Sequence, residues 1–158
     1  MSLDPARQRA LEELYGLYGE LLDDGPLDDW PALFTEDCNY QVVPRDNFDE
    51  GLPLAIIRAE SRGMLVDRIR SVQETIMYEP RYLRHQITNI RGTERDDGGI
   101  DVIASYLVVE VLPDELPKIL SVGRYLDVVV EEEGELRFAD KWVVYDSVLV
   151  PNTIVLPL

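Results

Sequence analysis

The chain is poor in the residues that bind transition metals. Its 158 residues include one cysteine, Cys38, and one histidine, His85. An internal disulfide is therefore impossible, and Cys38 reads as a buried or half-buried side chain in a reducing compartment. A Rieske iron–sulfur centre takes two cysteines and two histidines. A mononuclear non-haem iron triad takes two histidines and a carboxylate, and Cys/His structural zinc takes four ligands. The chain can build none of these alone. Carboxylate-only sites for calcium or magnesium stay open, although no EF-hand loop is present.

Positive charge is also scarce. Lysine and arginine total 15 against 31 aspartate and glutamate, for a formal net charge of −16. That balance argues against a nucleic-acid footprint and against an anionic membrane surface. Its simplest meaning is solubility, and its sharper one is a complementary patch on a partner protein. No run of 18 apolar residues occurs, so no membrane span is expected. The start, residues 1–14, has no apolar core of a signal peptide, and the expected location is cytoplasmic. Phosphate-binding glycine loops and a G-x-S-x-G elbow are missing too: Gly98-Gly99 falls between two strands and reads as a turn. Nothing in the spacing supports a Ser–His–Asp triad.

What is present is an orderly succession of amphipathic elements. Leu11, Leu14, Leu17 or Tyr18, Leu21 and Leu22 recur at three- and four-residue steps, which predicts a helix over 4–23 that starts at Asp4-Pro5. Gly16 and Gly19 on that helix allow close packing against a sheet. Gly25-Pro26 ends it. A short second helix is expected over 27–34, with Asp28 and Asp29 in its first turn and Trp30, Leu33 and Phe34 in the core. A strand over 38–44, a polar loop over 45–52 and a short strand within 54–59 follow. Ser61 is the expected N-cap of a helix whose apolar face holds Met64, Leu65, Ile69 and Val72.

The remainder reads as four strands, at 83–94, 100–112, 118–131 and 135–150. They are separated by Asp96-Asp97-Gly98-Gly99, Pro113-Asp114-Glu115 and Glu133-Gly134, breaks that suit antiparallel hairpins. Helices first and a meander second is the α+β pattern. With no repeat, linker or low-complexity segment, residues 1–158 read as one domain, long enough to bury roughly 70% of its extended-chain surface.

The strands are apolar on both faces. Val102, Ala104, Tyr106 and Val108 oppose Ile103, Leu107, Val109 and Val111. Val122, Leu126, Val128 and Val130 oppose Tyr125 and Val129. Trp142, Val144, Val148 and Val150 oppose Val143, Tyr145 and Leu149. One helical layer covers one face only, so the other is expected to meet a second chain. Three groups suit acid–base work in a pocket: His85, Asp127 and Asp146. Each also has a plain structural reading. For the carboxylates that is pairing with a basic neighbour such as Arg124 or Lys141, or facing water.

Several segments carry a family resemblance. They are Asp29-Trp30-Pro31-Ala32-Leu33-Phe34 running on to Tyr40, Asp46-Asn47-Phe48, Met64 to Ile69, Arg81-Tyr82-Leu83-Arg84-His85-Gln86-Ile87, and Val122-Gly123-Arg124-Tyr125-Leu126-Asp127. Asp146-Ser147 and the closing Leu156-Pro157-Leu158 belong with them. In order and spacing the chain resembles the small (β) subunit of aromatic-ring-hydroxylating dioxygenases, on the cone-shaped α+β fold of nuclear transport factor two, with a strongly curved mixed or antiparallel sheet wrapped on N-terminal helices. It looks closest to the branch acting on carboxylated aromatics such as terephthalate, salicylate or anthranilate. The resemblance implies a non-catalytic assembly subunit without cofactor or metal of its own. It implies a Rieske 2Fe–2S cluster and a mononuclear iron in a separate α subunit, a β trimer, and an α3β3 complex. The alternative is a free-standing isomerase, dehydratase or epoxide hydrolase on the same fold, with His85, Asp127, Asp146 and Tyr40 as its pocket residues.

Overall fold

The computed structural model describes residues 2–74, 80–147 and 156–158. Helix α1 (Pro5–Asp23) is followed by a 3-10 helix (Leu27–Leu33), strand β1 (Phe34–Pro44), helix α2 (Arg45–Asp49), strand β2 (Ile57–Ala59), helix α3 (Arg62–Glu74), and strands β3 (Tyr82–Glu94), β4 (Ile100–Val111), β5 (Lys118–Glu132) and β6 (Glu135–Tyr145). The six strands form one curved sheet in the order β2-β1-β6-β5-β4-β3. The fold class is the expected α+β one.

Local chemistry sets the element boundaries. The Asp4 carboxylate accepts from the backbone N–H groups of Ala6 and Arg7, satisfying orphan donors at the start of α1. Ser61 caps α3 through Met64 N–H at 3.2 Å. Glu133 and Gly134 both take positive φ, 52° and 81°, the conformation of a two-residue type I′ hairpin between β5 and β6.

β3 to β6 form the antiparallel meander. The mixed character comes from β1, which runs parallel to β6, with Tyr40 opposite Lys141 and Val42 opposite Val143. Short β2 closes that edge antiparallel to β1. α1 lies across the concave face and inserts Leu11, Tyr15, Tyr18 and Leu22. The expected close approach is made at Gly19, where a Cβ would stand 3.4 Å from the His85 Cβ, and not at Gly16, which faces open space.

Several boundaries differ from the sequence reading. β1 begins at Phe34, because Phe34 already pairs with Phe138 before a register shift. Residues 45–49 are a short helix whose Phe48 ring meets Trp142 edge-on at 5.6 Å. Met64 lies on the solvent side of α3, at 45% exposure, whereas Leu65, Ile69 and Val72 are buried. β6 ends at Tyr145, and the expected strand residues 148–150 lie outside the described residues.

The two-faced strand pattern is confirmed where the strands are described. Val102, Ala104, Tyr106, Val108, Tyr125, Val129 and Val143 point into the core. On the opposite face Ile103 is 58%, Ile119 65% and Val122 43% exposed. Ile103, Leu126 and Trp142 lie side by side there, in a row across three strands.

Candidate functional site

The deepest part of the concave face is polar. A row across four strands places Val102, Asp127, Lys141 and Tyr40 next to one another. Asp127 and Lys141 therefore meet as a cross-strand pair inside the core, with Lys141 Nζ donating to Asp127 Oδ2 at 2.8 Å and both side chains at 0% exposure. The Tyr15 hydroxyl donates to the same carboxylate oxygen in a very short hydrogen bond. The Trp142 backbone N–H donates to Oδ1 at 3.2 Å.

Aromatic rings enclose the ammonium. Its nitrogen stands 3.5 Å from the Tyr125 ring centre, 4.4 Å from Tyr18, 4.6 Å from Phe138 and 4.9 Å from Tyr15. Ring faces are electron-rich, so each attracts the cation, and most strongly where water is excluded. The rings also hold each other: Tyr106 stacks on Tyr125 at 4.7 Å, and Tyr15 meets Phe138 edge-on at 5.2 Å.

Burial dominates the acid–base balance of this cluster. Desolvation pushes Lys141 down to about 8, against the opposing pull of Asp127. It raises Asp127 as well, although Lys141, Tyr15 and Trp142 all favour its charged form. It drives Tyr15, Tyr18, Tyr40, Tyr106 and Tyr125 upward. Charge is costly here for every group, and the lysine–aspartate pair persists as the one mutually compensating arrangement.

The other residues singled out from the sequence are placed elsewhere or are already engaged. His85 is buried on β3, its Nδ1 2.6 Å from Asp23 Oδ1, while its backbone N–H donates to Asp23 Oδ2 at 2.8 Å. The Asp23 carboxylate thus ties the end of α1 to the sheet. Nε2 makes no hydrogen bond. The Tyr40 hydroxyl is held by Leu158, accepting from its backbone N–H at 3.0 Å. Asp146 lies beyond β6, half-exposed and paired with Arg45 at 3.2 Å, so it stands outside the buried cluster. Arg124 pairs with Asp49 at 3.9 Å rather than with Asp127. Only Asp127 and Tyr40 of the four candidates lie in one row, and the partner that matters between them is Lys141.

Tyr15, Tyr18 and Leu158 were not singled out as site residues in the sequence. A usable signal did exist for the pair itself: Asp127 alternates with inward Tyr125 and Val129, and Lys141 precedes inward Val143 by two. Both charges thus take inward parity on neighbouring strands. Among the described residues no group of three or more histidine, cysteine, aspartate or glutamate side chains is placed to hold a metal ion. None of the described helices is long and apolar enough to cross a membrane.

A curved sheet wrapped on one long helix, its interior holding tyrosines around the Lys141–Asp127 pair and its outer face apolar, defines a protein of the nuclear-transport-factor-two-like class. Within that class the chain belongs to the ring-hydroxylating β subunit family, whose model matches residues 19–152. It is 35% identical over 137 residues to the small subunit of anthranilate 1,2-dioxygenase from Burkholderia cepacia, covering 87% of this chain and 85% of that one. It is 33% identical over 145 residues to the β 2 subunit of the terminal oxygenase component of terephthalate 1,2-dioxygenase from a Comamonas species, covering 89% and 92%. The crystal structure of a β subunit assigned to an aromatic-ring-hydroxylating dioxygenase of Novosphingobium aromaticivorans superposes with a TM-score of 0.87, at 32% identity and 97% coverage of both chains.

Proposed function

We propose that this chain is the scaffolding subunit of an aromatic-ring-hydroxylating dioxygenase acting on a carboxylated aromatic, and that the chain itself carries out no step of the reaction. The Rieske cluster and the mononuclear iron belong to a separate α subunit. The β chains form a trimer that holds three α subunits in an α3β3 complex in the cytoplasm, with residues 1–158 as one domain. The relatives named for anthranilate and terephthalate oxygenases support the substrate class.

The observation that carries the reading is the state of the interior. Of the groups with acid–base potential, Asp127, Lys141 and Tyr40 are each engaged by this chain's own atoms and shut off from solvent, and the buried His85 ring has its Nδ1 on Asp23. A general acid or base must reach a substrate proton within hydrogen-bonding distance, and here Asp127 and Lys141 reach each other while Tyr40 reaches Leu158. The exposed apolar outer face, with Ile103, Ile119 and Val122, supports the assembly role.

Co-expression with the iron-bearing subunit tests this, followed by size-exclusion chromatography and a product assay on each peak. The expected result is turnover only in the mixed complex. Val122→Glu should lower activity in parallel with the fraction assembled, because a charge in the interface must be desolvated. Turnover per assembled complex should stay near normal. Full activity from the isolated large subunit, or isomerase or hydrolase activity from this chain alone, would overturn the proposal.

A further inference from the structure

The segment Leu156–Leu158 is held in a way that sets it apart from the rest of the core. The Leu158 side chain is completely buried within the main hydrophobic cluster, Pro157 is buried, and Leu156 packs beside them. The hydrogen bonds that hold its main chain come from side chains. Leu158 N–H donates to the Tyr40 hydroxyl at 3.0 Å. The Tyr40 hydroxyl lies 3.2 Å from the Leu158 main-chain oxygen. The Tyr18 hydroxyl donates to that same oxygen in a very short bond.

Two phenols, one from α1 and one from β1, thus converge on one acceptor oxygen. The walls behind them are aromatic: Trp30 lies 5.9 Å from Tyr18 and 5.5 Å from Tyr40. This arrangement has the make-up of a small-ligand site, a concave apolar surface with a few converging polar groups. Its occupant is three residues of the chain itself. The phenols read main-chain atoms, so the site selects a peptide-like donor and acceptor flanked by aliphatic side chains.

We infer that residues 156–158 are an internal ligand, a plug seated in a peptide-binding cradle formed by Tyr18 and Tyr40, and that the emptied cradle takes an apolar peptide of the same chemistry in trans. This deepens the reading of the chain as a scaffold and rests on it, since the segment occupies space within the main hydrophobic cluster. The contacts are separable from the sheet: removing the plug takes away no strand pairing, because none of its hydrogen bonds to Tyr18 and Tyr40 belongs to the ladder.

The test is a variant lacking residues 156–158, titrated with acetyl-Leu-Pro-Leu by calorimetry, with 1-anilinonaphthalene-8-sulfonate as a displaceable reporter. The variant should take up the dye, bind the peptide one to one and release the dye as it does so. The full chain should do neither. Adding Tyr40→Phe to the deletion should weaken the peptide at least tenfold, and acetyl-Ser-Pro-Ser should not bind. A folded deletion variant that ignores the peptide, or a full chain that binds it equally well, overturns the inference.

If the deletion does not fold, Leu158→Ala in the full chain decides the matter through dye uptake and amide hydrogen exchange. Dye uptake with unchanged exchange in β4 and β5 supports a plug. Loosened exchange throughout the sheet, or no dye uptake, refutes it. Co-purification with the α subunit is followed in parallel. A plug that fails in a chain that still assembles leaves the scaffold role standing, and lost assembly with peptide binding intact does the reverse.

Discussion

Replacing Lys141 by methionine removes the cation from its cage and keeps most of the volume. Three effects compete. Asp127 loses its donor at 2.8 Å and remains in a core with 0% side-chain exposure. Stranding one member of a buried ion pair costs about 3–5 kcal/mol. The cation–aromatic attraction to four rings is lost, and sulfur–aromatic contacts return about 0.3–1.5 kcal/mol. Protonation of Asp127 limits the damage, because burial already raises its carboxyl and losing Lys141 removes its largest counterweight.

The net expectation for Lys141→Met is a loss of about 3–5 kcal/mol at neutral pH. A carboxyl whose folded value is raised favours the folded state below its unfolded value and loses that contribution as pH rises through the folded one. The variant should therefore recover stability on acidification from pH 7 toward pH 5.

Removing the aspartate as well changes the sign. Asp127→Leu with Lys141→Met takes the acceptor away from the Tyr15 hydroxyl and from the Trp142 backbone N–H, a penalty of about 1–3 kcal/mol for each donor left unpaired. Adding Tyr15→Phe removes the phenol's share of that penalty. The triple variant should match or exceed the parent, as well-packed apolar replacements of buried pairs do, by up to about 4 kcal/mol. Urea unfolding at matched protein concentration, at pH 7 and pH 5, measures the series. If Lys141→Met falls within about 1 kcal/mol of the parent, or shows no gain on acidification, the pair is not the closed, water-free unit described above and the argument fails.

Other expectations follow from the same core. Tyr15, Tyr18, Tyr40, Tyr106 and Tyr125 all have raised folded values, so their stabilisation is whole below the unfolded value of 10.0 and is lost as pH climbs from there. The five phenols act in the same direction, so their losses reinforce one another above that value. Lys141, whose value is lowered to about 8, contributes in the opposite sense, gaining between there and 10.5. Stability should therefore hold to about pH 10 and then drop steeply. Tyrosinate absorbance at 295 nm should rise together with the loss of near-ultraviolet circular dichroism, and phenols ionising in a folded protein would refute this.

His85→Gln should cost about 1–3 kcal/mol, the range for one buried hydrogen bond, and leave turnover per assembled complex unchanged. A hundredfold loss of activity with assembly and iron content intact would instead give this chain a chemical role. Gly123→Ala should cost about 3 kcal/mol or prevent folding, because its Cβ would fall 2.0 Å from the Val144 backbone oxygen, which cannot move aside as a side chain can. A thermal melt near that of the parent would contradict the close strand approach.

Features with a short-range signature were legible in the sequence. The apolar period of α1, the Ser61 cap and the Glu133-Gly134 turn each need only their neighbours, and each stands as read. The alternation in β4 and β5 gave both faces correctly, because parity along a strand is a local property. α2 was read as loop, since five residues give too few turns for a period to show. Met64 fits the apolar stripe of α3 but lies at its solvent margin, which only packing decides.

The partners of the polar residues were the least legible. His85 meets Asp23 from another element, and Tyr40 meets Leu158 from the far end of the sequence given. Asp127 was open to either a pocket role or pairing with Arg124 or Lys141, and the register of β5 on β6 chose Lys141. Asp146 looked equivalent to Asp127 by composition, yet β6 stops one residue before it.

The parallel seam between β1 and β6 bears on how the protein is made. Tyr40 waits for Lys141, about 100 residues further along the chain, before it gains a neighbour on that side. During synthesis α1 and β1 emerge first, with Leu11, Tyr15, Tyr18 and Phe34 uncovered, and β6 emerges only after the strands β3 to β5. The meander of β3 to β6 can zip through successive hairpins at low loop-closure cost. Docking of the early segment onto the finished meander is then the step that sets the pace. The same wait leaves the unpaired edge of β1 open to competing strands, so a nascent chain is most prone to aggregate in the interval before β6 arrives.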